Sequence, residues 1–197
     1  LKKAGYNVRR ISGRDRYGTA QKIGEEVRLT NTNKKEAIIV DGTNFPDVIT
    51  LSTLANQRRI PILLTQPKAL NSTTNKLLDD WKIDKVTTGG EKTSVSKNVE
   101  NSIKSKIKEV SRIGGENRYE TAYKVADEVR RLTNNNKNLI LVDGTDFPDG
   151  ITISSLAAKF KSPILLTVPN RLHPVTEEAV SRWKIENILI GGGYNSV

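Results

Sequence analysis

Apolar residues fall in short runs, separated by stretches about as long as a helix in which they recur every three or four positions. Ala37–Val40 is a continuous apolar run, the pattern of a strand buried on both faces. Pro61–Thr65 predicts the next strand and Lys85–Thr88 another, ending at Gly89-Gly90, while Val8–Ile11 is a short β-type run near the beginning. Between them, Arg14–Leu29 sets Ala20, Ile23 and Val27 on one helical face. A second helix opens at Phe45-Pro46. Pro46 suits its first turn, Asn44 or Thr43 is available as a cap, and Asp47 sits by the positive end. Ile49, Leu51, Leu54 and Ala55 form its buried stripe. Ser72 and Thr73 offer caps for a helix reaching Trp81, and Ser94 or Ser96 for one ending near Ile107. Strands alternating with helices predict an α/β fold: a small open parallel sheet with helices on both faces, Rossmann-like, flavodoxin-like or Toprim-like.

The same series then repeats. Asp41-Gly-Thr-Asn-Phe-Pro-Asp47 matches Asp143-Gly-Thr-Asp-Phe-Pro-Asp149, an offset of 102 residues. That offset also carries Arg16-Tyr17 onto Arg118-Tyr119, Pro61–Thr65 onto Pro163–Thr167, Trp81-Lys-Ile83 onto Trp183-Lys-Ile185 and Gly89-Gly90 onto Gly191-Gly192. Roughly half the aligned positions are identical, with no insertion. A period this long is a whole domain, not a solenoid repeat. The expected organisation is a unit over 8–109 and a second over 110–197, truncated at its last helix, with 1–7 the tail of a preceding unit's last helix. Both ends then cut through a unit, and a third unit is expected in the parent chain. With no methionine in the sequence and Leu1 at its head, a processed product or excised fragment is expected.

Charge and composition narrow the chemistry. Lys plus Arg number 32 against 22 acids, a net +10, which favours an anionic partner. There is no cysteine, so disulfides and thiolate metal sites are excluded, and one histidine, His173, argues against a His-rich metal centre. No apolar run approaches the roughly 20 residues of a membrane helix. No cofactor, metal or membrane partner is expected.

In an open parallel sheet, ligands sit beyond the carboxyl ends of the strands. Ser12–Tyr17, Asp41–Thr43, Thr65–Pro67 and Gly89-Gly90 fall there, and they hold most of the repeated polar residues. Asp41-Gly42-Thr43 either closes a strand and caps a helix or contacts a ligand. Asp47 pairs with a helix dipole or does the same. Arg16 supplies a planar fork for phosphate or carboxylate, and Tyr17 a ring face and a hydroxyl for a sugar. The alternative for Arg16 is an ion pair with Asp15, Glu26 or a neighbouring loop aspartate. Arg10 and Arg112 suit a buried ion pair or a unit interface as well as a ligand contact. A carboxylate-based glycan hydrolase built on Asp41 and Asp47 is one rival reading. A basic nucleic-acid-binding domain is another, weakened by dispersed lysines and the lack of any known nucleic-acid motif.

Arg10-Ile-Ser-Gly-Arg-Asp-Arg-Tyr-Gly-Thr-Ala20, Asp41–Asp47, Pro61–Thr65, and Gly89-Gly90 with Ser94-Val95 resemble the cell wall binding repeat 2 family, as do their counterparts in the second unit. Val48, Gly150 and the polar Thr87-Thr88 depart from its pattern. The resemblance implies a non-catalytic module of secreted, S-layer-type surface proteins on the Gram-positive wall. It would be held there by an anionic polysaccharide or teichoic-acid-like polymer. It also implies tandem units that pack as a pseudo-threefold ring, through a third unit or by self-association. The ligand-binding positions carried over are Arg16, Tyr17, Asp41, Thr43 and Asp47, with Arg118, Tyr119, Asp143, Thr145 and Asp149.

Overall fold

A computed structural model describes residues 1–31 and 33–197. After a short turn at Lys2–Ala4, the first unit runs α1 (Arg16–Leu29), β1 (Glu36–Asp41), α2 (Pro46–Arg58), β2 (Ile62–Thr65), α3 (Ser72–Asp80), β3 (Lys85–Gly89) and α4 (Lys97–Lys104). There follow β4 (Glu109–Ile113), α5 (Arg118–Thr133), β5 (Asn138–Asp143), α6 (Pro148–Phe160), β6 (Ile164–Thr167), α7 (Pro174–Trp183) and β7 (Asn187–Gly191). All strand pairs within the two sheets are parallel, in the orders β2-β1-β3-β4 and β6-β5-β7. The expected α/β class and duplication hold.

Both faces of β1 are covered. Ala37 and Ile39 join Leu77 and Leu78 of α3 and Val99 and Ile103 of α4. Ile38 and Val40 join Leu51 and Leu54 of α2, and also Val125 and Val129 of α5. Helix α5 thus serves both units, because in the second Ala122 packs with Ile140 and Ala157, and Ala126 with Leu139 and Trp183. The period-two alternation of a doubly covered strand explains the unbroken apolar run.

The units share a sheet as well. β4, which opens the second repeat, is hydrogen-bonded along β3 with Lys85 opposite Glu109 and Gly89 opposite Ile113. Its counterpart at Val8–Ile11 is exposed and is not a strand, which corrects the expectation there. A strand needs an edge to pair with, and none of the described strands lies beside that segment.

Several caps also differ. Helix α1 starts at Arg16 with Asp15 as cap, accepting from the Gly18 N–H at 2.7 Å. Neither Asn44 nor Thr43 caps α2, since Thr43 is engaged by Asp41 and Asn44 accepts from the Phe45 N–H. Asn71, one residue earlier than expected, caps α3, whereas Ser96 caps α4 as one of the two residues expected there.

Candidate functional site

The loops after β1 and β5 are built alike. The Asp41 carboxylate accepts from the Thr43 N–H at 2.7 Å and from its hydroxyl at 2.7 and 2.9 Å. Asp143 holds Thr145 in the same way. Both aspartates are buried. Their oxygens are spent on stiffening the turn, an Asx arrangement. The glycine of each turn lies close under a tyrosine ring: a Cβ on Gly42 would stand 3.1 Å from that of Tyr17, a tight contact, and one on Gly144 2.7 Å from that of Tyr119, a clash.

Onto each turn comes an arginine from the start of the neighbouring helix. Arg16 donates from Nη1 to the Gly42 carbonyl, and Arg118 from Nη1 to the Gly144 carbonyl at 2.5 Å. Neither makes an ion pair within 4 Å among the described residues: Asp15 is a cap and Glu26 takes Arg9. Each guanidinium spends one donor on a neutral carbonyl and keeps its charge and remaining N–H groups. Tyr119 lies stacked on His173, with centroids 3.9 Å apart. Burial pushes its hydroxyl above the ordinary phenol range.

Asp47 and Asp149 occupy a second position, over the glycine pairs that end β3 and β7. A Cβ on Gly90 would stand 2.1 Å from Asp47 Oδ2, and one on Gly192 3.0 Å from Asp149 Oδ2. Desolvation by burial raises the Asp47 carboxyl above its usual range, with the Ser94 side chain opposing. Glu91 and Asp41 raise it further, and the Arg118 charge lowers it. Arg118 belongs to the second repeat, so its influence on Asp47 crosses the unit boundary. Of the ten expected positions, Arg16, Tyr17, Asp41 and Thr43 gather around Gly42, and Arg118, Tyr119, Asp143 and Thr145 around Gly144. Asp47 and Asp149 stand over the next strand. Glu91 and Ser94 were missed as companions of Asp47; the glycine pair beside them was the available signal.

A groove of about 820 Å³ between α1 and α2 is lined by Ala20, Ile23, Val27, Val48, Ile62 and Leu64. It is apolar, and only Arg16 joins it to the loops described above. In the second unit the matching place is filled: Ile49 of α2 packs on Gly150, Gln57 donates to the Ala158 carbonyl at 3.1 Å, and Arg58 pairs with Glu128 at 2.7 Å. No group of three or more His, Asp or Glu side chains suited to a metal occurs among the described residues.

Two parallel-sheet units, each with an arginine and a tyrosine beside its Asp-Gly-Thr turn, form a tandem-repeat α/β module. The chain belongs to the Cell wall binding domain 2 (CWB2) family, which it matches over residues 10–100 and 112–197. It is 30% identical over 197 residues to the N-acetylmuramoyl-L-alanine amidase LytC of Bacillus subtilis, covering all of this chain and 38% of that protein. The amidase enhancer of the same organism is 33% identical over 163 residues, 83% of this chain and 22% of that one. Two solved structures from Clostridium difficile share the fold. Cwp6 has a TM-score of 0.85 at 27% identity, over 95% of this chain and 29% of that one. Cwp8 has 0.79 at 28%, over 95% and 31%. The chain therefore spans less than two fifths of these relatives. Family and neighbours imply a cell-wall or cell-surface location, and among the described residues no helix is long and apolar enough to cross a membrane.

Proposed function

We propose that this chain is a non-catalytic anchor that holds a secreted, S-layer-type surface protein on the Gram-positive wall by binding an anionic secondary wall polymer. One observation carries the reading: Arg16 and Arg118 sit at equivalent mouths, each tethered by a backbone carbonyl rather than neutralised by a carboxylate. A guanidinium so placed is oriented and still charged, which suits phosphate or carboxylate on a glycan. Tyr17 and Tyr119 lie alongside for the sugar. Asp47 and Asp149 add acceptors for hydroxyls, while Asp41, Thr43, Asp143 and Thr145 shape the turns. Two weak sites on one body gain from a repeating ligand by effective concentration, up to roughly 10²–10⁴-fold. The net charge of +10 supports the same partner. Packing with a further repeat unit in the groove between α1 and α2 belongs to this proposal, and so does placing the amidase activity of LytC outside the matched segment.

Retention on purified cell walls across a salt series tests it. Binding should weaken as salt rises, and Arg16→Ala with Arg118→Ala should elute at lower salt than the parent. Equal retention of both proteins at every salt concentration removes the arginines from the mechanism. Soluble saccharide released from the same walls would instead support the hydrolase reading.

A further inference from the structure

We infer that His173 is a further ligand-contact residue of the second mouth, where it donates from Nε2, beside Arg118 and Tyr119, to a phosphate group of the bound polymer. The first mouth has no counterpart, so the two are not equivalent. The inference deepens the polymer reading above and rests on it.

His173 aligns with Asn71, and each is the residue before a helix. Asn71 does what that position asks: its Oδ1 accepts from the Thr73 N–H at 2.9 Å and caps α3. His173 does not. Its side chain makes no cap bond to α7, and its Nδ1 is buried without a hydrogen-bond partner. The loops themselves are held alike, since the His173 N–H donates to the Thr167 hydroxyl at 3.0 Å and the Asn71 N–H to that of Thr65 at 3.1 Å. An uncapped helix and an orphaned buried nitrogen both cost stability. Where the sister repeat has a satisfied asparagine, a histidine held at such a cost points to a role outside the fold.

The placement of the ring supplies that role. The imidazole lies on the Tyr119 ring with centroids 3.9 Å apart and planes 10° from parallel. Among the described residues no ring stacks on Tyr17. Arg118 reaches the same place, for its charge bears on the Tyr119 hydroxyl while its Nη1 holds the Gly144 carbonyl. Stacking fixes the imidazole, and the surroundings fix its tautomer. Nδ1 is shut off from water at the N-cap of α7, beside the positive end of the helix, where a lone pair is favoured over an N–H. The proton therefore sits on Nε2, which has no protein partner among the described residues and is open to solvent. Burial keeps the Tyr119 hydroxyl protonated as well. The second mouth thus offers guanidinium, imidazole and phenol donors, with the Asp143 carboxylate holding Thr145 instead of pairing with them. Donors of three kinds suit the several oxygens of a phosphate better than a planar carboxylate, which one guanidinium already matches.

As the one histidine of the chain, His173 gives imidazole signals in a proton spectrum that need no assignment. Inorganic phosphate is the probe, titrated into the whole protein at constant pH and ionic strength. The ring signals should shift to saturation, and Arg118→Ala should abolish the shift. A long-range proton–nitrogen correlation should show Nε2 protonated and Nδ1 bare. Variants are read at the Gly144 amide. Glutamine sets its amide nitrogen near the place of Nε2, asparagine sets its own near that of Nδ1, and phenylalanine keeps the stack without a donor. His173→Gln should therefore retain most of the phosphate affinity, while His173→Asn and His173→Phe should lose about tenfold. His173→Asn should melt no lower than the parent, because asparagine caps α7 as Asn71 caps α3, so its loss of binding is not a loss of fold. Ring signals that ignore phosphate, a shift that survives Arg118→Ala, or parental affinity in His173→Phe each overturn the inference. Purified walls that fail to retain the parent, while phosphate still moves the ring, sink the polymer reading and leave the anion site standing. Walls retained by a protein whose imidazole stays silent sink the inference alone.

Discussion

Ile49 of α2 rests on Gly150 of α6, so close that a Cβ at Gly150 would meet its Cδ1 at 3.0 Å and its Cγ2 at 3.1 Å. The first repeat has Val48 at the position of Gly150, and the second has Ile151 at that of Ile49. The contact is therefore a size match made between the units. Gly150→Val should cost about 1–3 kcal/mol through overpacking. Urea unfolding monitored by tryptophan fluorescence reads the loss. Exchange should quicken first in α2 and α6, where the Phe45 and Phe147 rings also meet at 4.5 Å.

The two turn glycines should differ in their tolerance of alanine. At Gly144 the added Cβ would lie 2.7 Å from the Tyr119 ring, which His173 backs by stacking. At Gly42 the nearest atoms, of Tyr17 and Leu64, are each 3.1 Å away, gaps that shifts of a few tenths of an ångström open. Gly144→Ala is therefore expected to destabilise by about 1 kcal/mol or more, and Gly42→Ala by less. Paired thermal melts decide the order.

Asp47 carries a conflict between stability and its proposed role. Burial raises its carboxyl, so at neutral pH the folded state holds a charge it would rather neutralise. The native form takes up a proton before the unfolded form does, and this group's contribution to stability improves as pH falls. Asp47→Asn should raise the melting temperature at pH 7, with the advantage shrinking as the pH nears the ordinary carboxylate range. The same variant should lose retention on cell walls if the carboxylate accepts from the glycan.

Glu100 behaves in the opposite sense. The Lys104 ammonium holds its carboxyl down at about 2, helped by Arg112 and Lys97 and opposed by burial. A depressed carboxylate stabilises the fold above the unfolded value, 4.5, and that stabilisation fades as pH falls from there toward about 2. Acid unfolding of Glu100→Gln should be flatter over that window than that of the parent, and the variant should be less stable at pH 7, where Arg112 has lost its carboxylate and keeps only backbone carbonyls. Circular dichroism across an acid series measures both.

The alternation of strands and helices, the duplication and the Pro46 helix start were legible because each is a local pattern of residue types. Ala37–Val40 carried the pattern of a strand covered on both faces. The Asx turns of Asp41 and Asp143 were legible as one of two alternatives, and the structure shows the turn-closing bonds to Thr43 and Thr145. What sequence does not carry is which unit a segment serves. Val8–Ile11 and Val110–Ile113 look alike on the page, yet only the latter has an edge beside it. Arg118 follows the pattern of the second unit and bears on Asp47 of the first, a relation set by how α5 leans on α2. Repeats report equivalence, and equivalence is silent about neighbours.

The lending of β4 to the sheet before it means that a cut at the repeat boundary would not yield two domains. A protease nick between Ser105 and Lys108 severs the chain while the ladder, the Arg112 bonds and the helix wedged beneath α2 stay made. The fragments should travel together through a sizing column, whereas either one made alone in a cell would begin life with a frayed border.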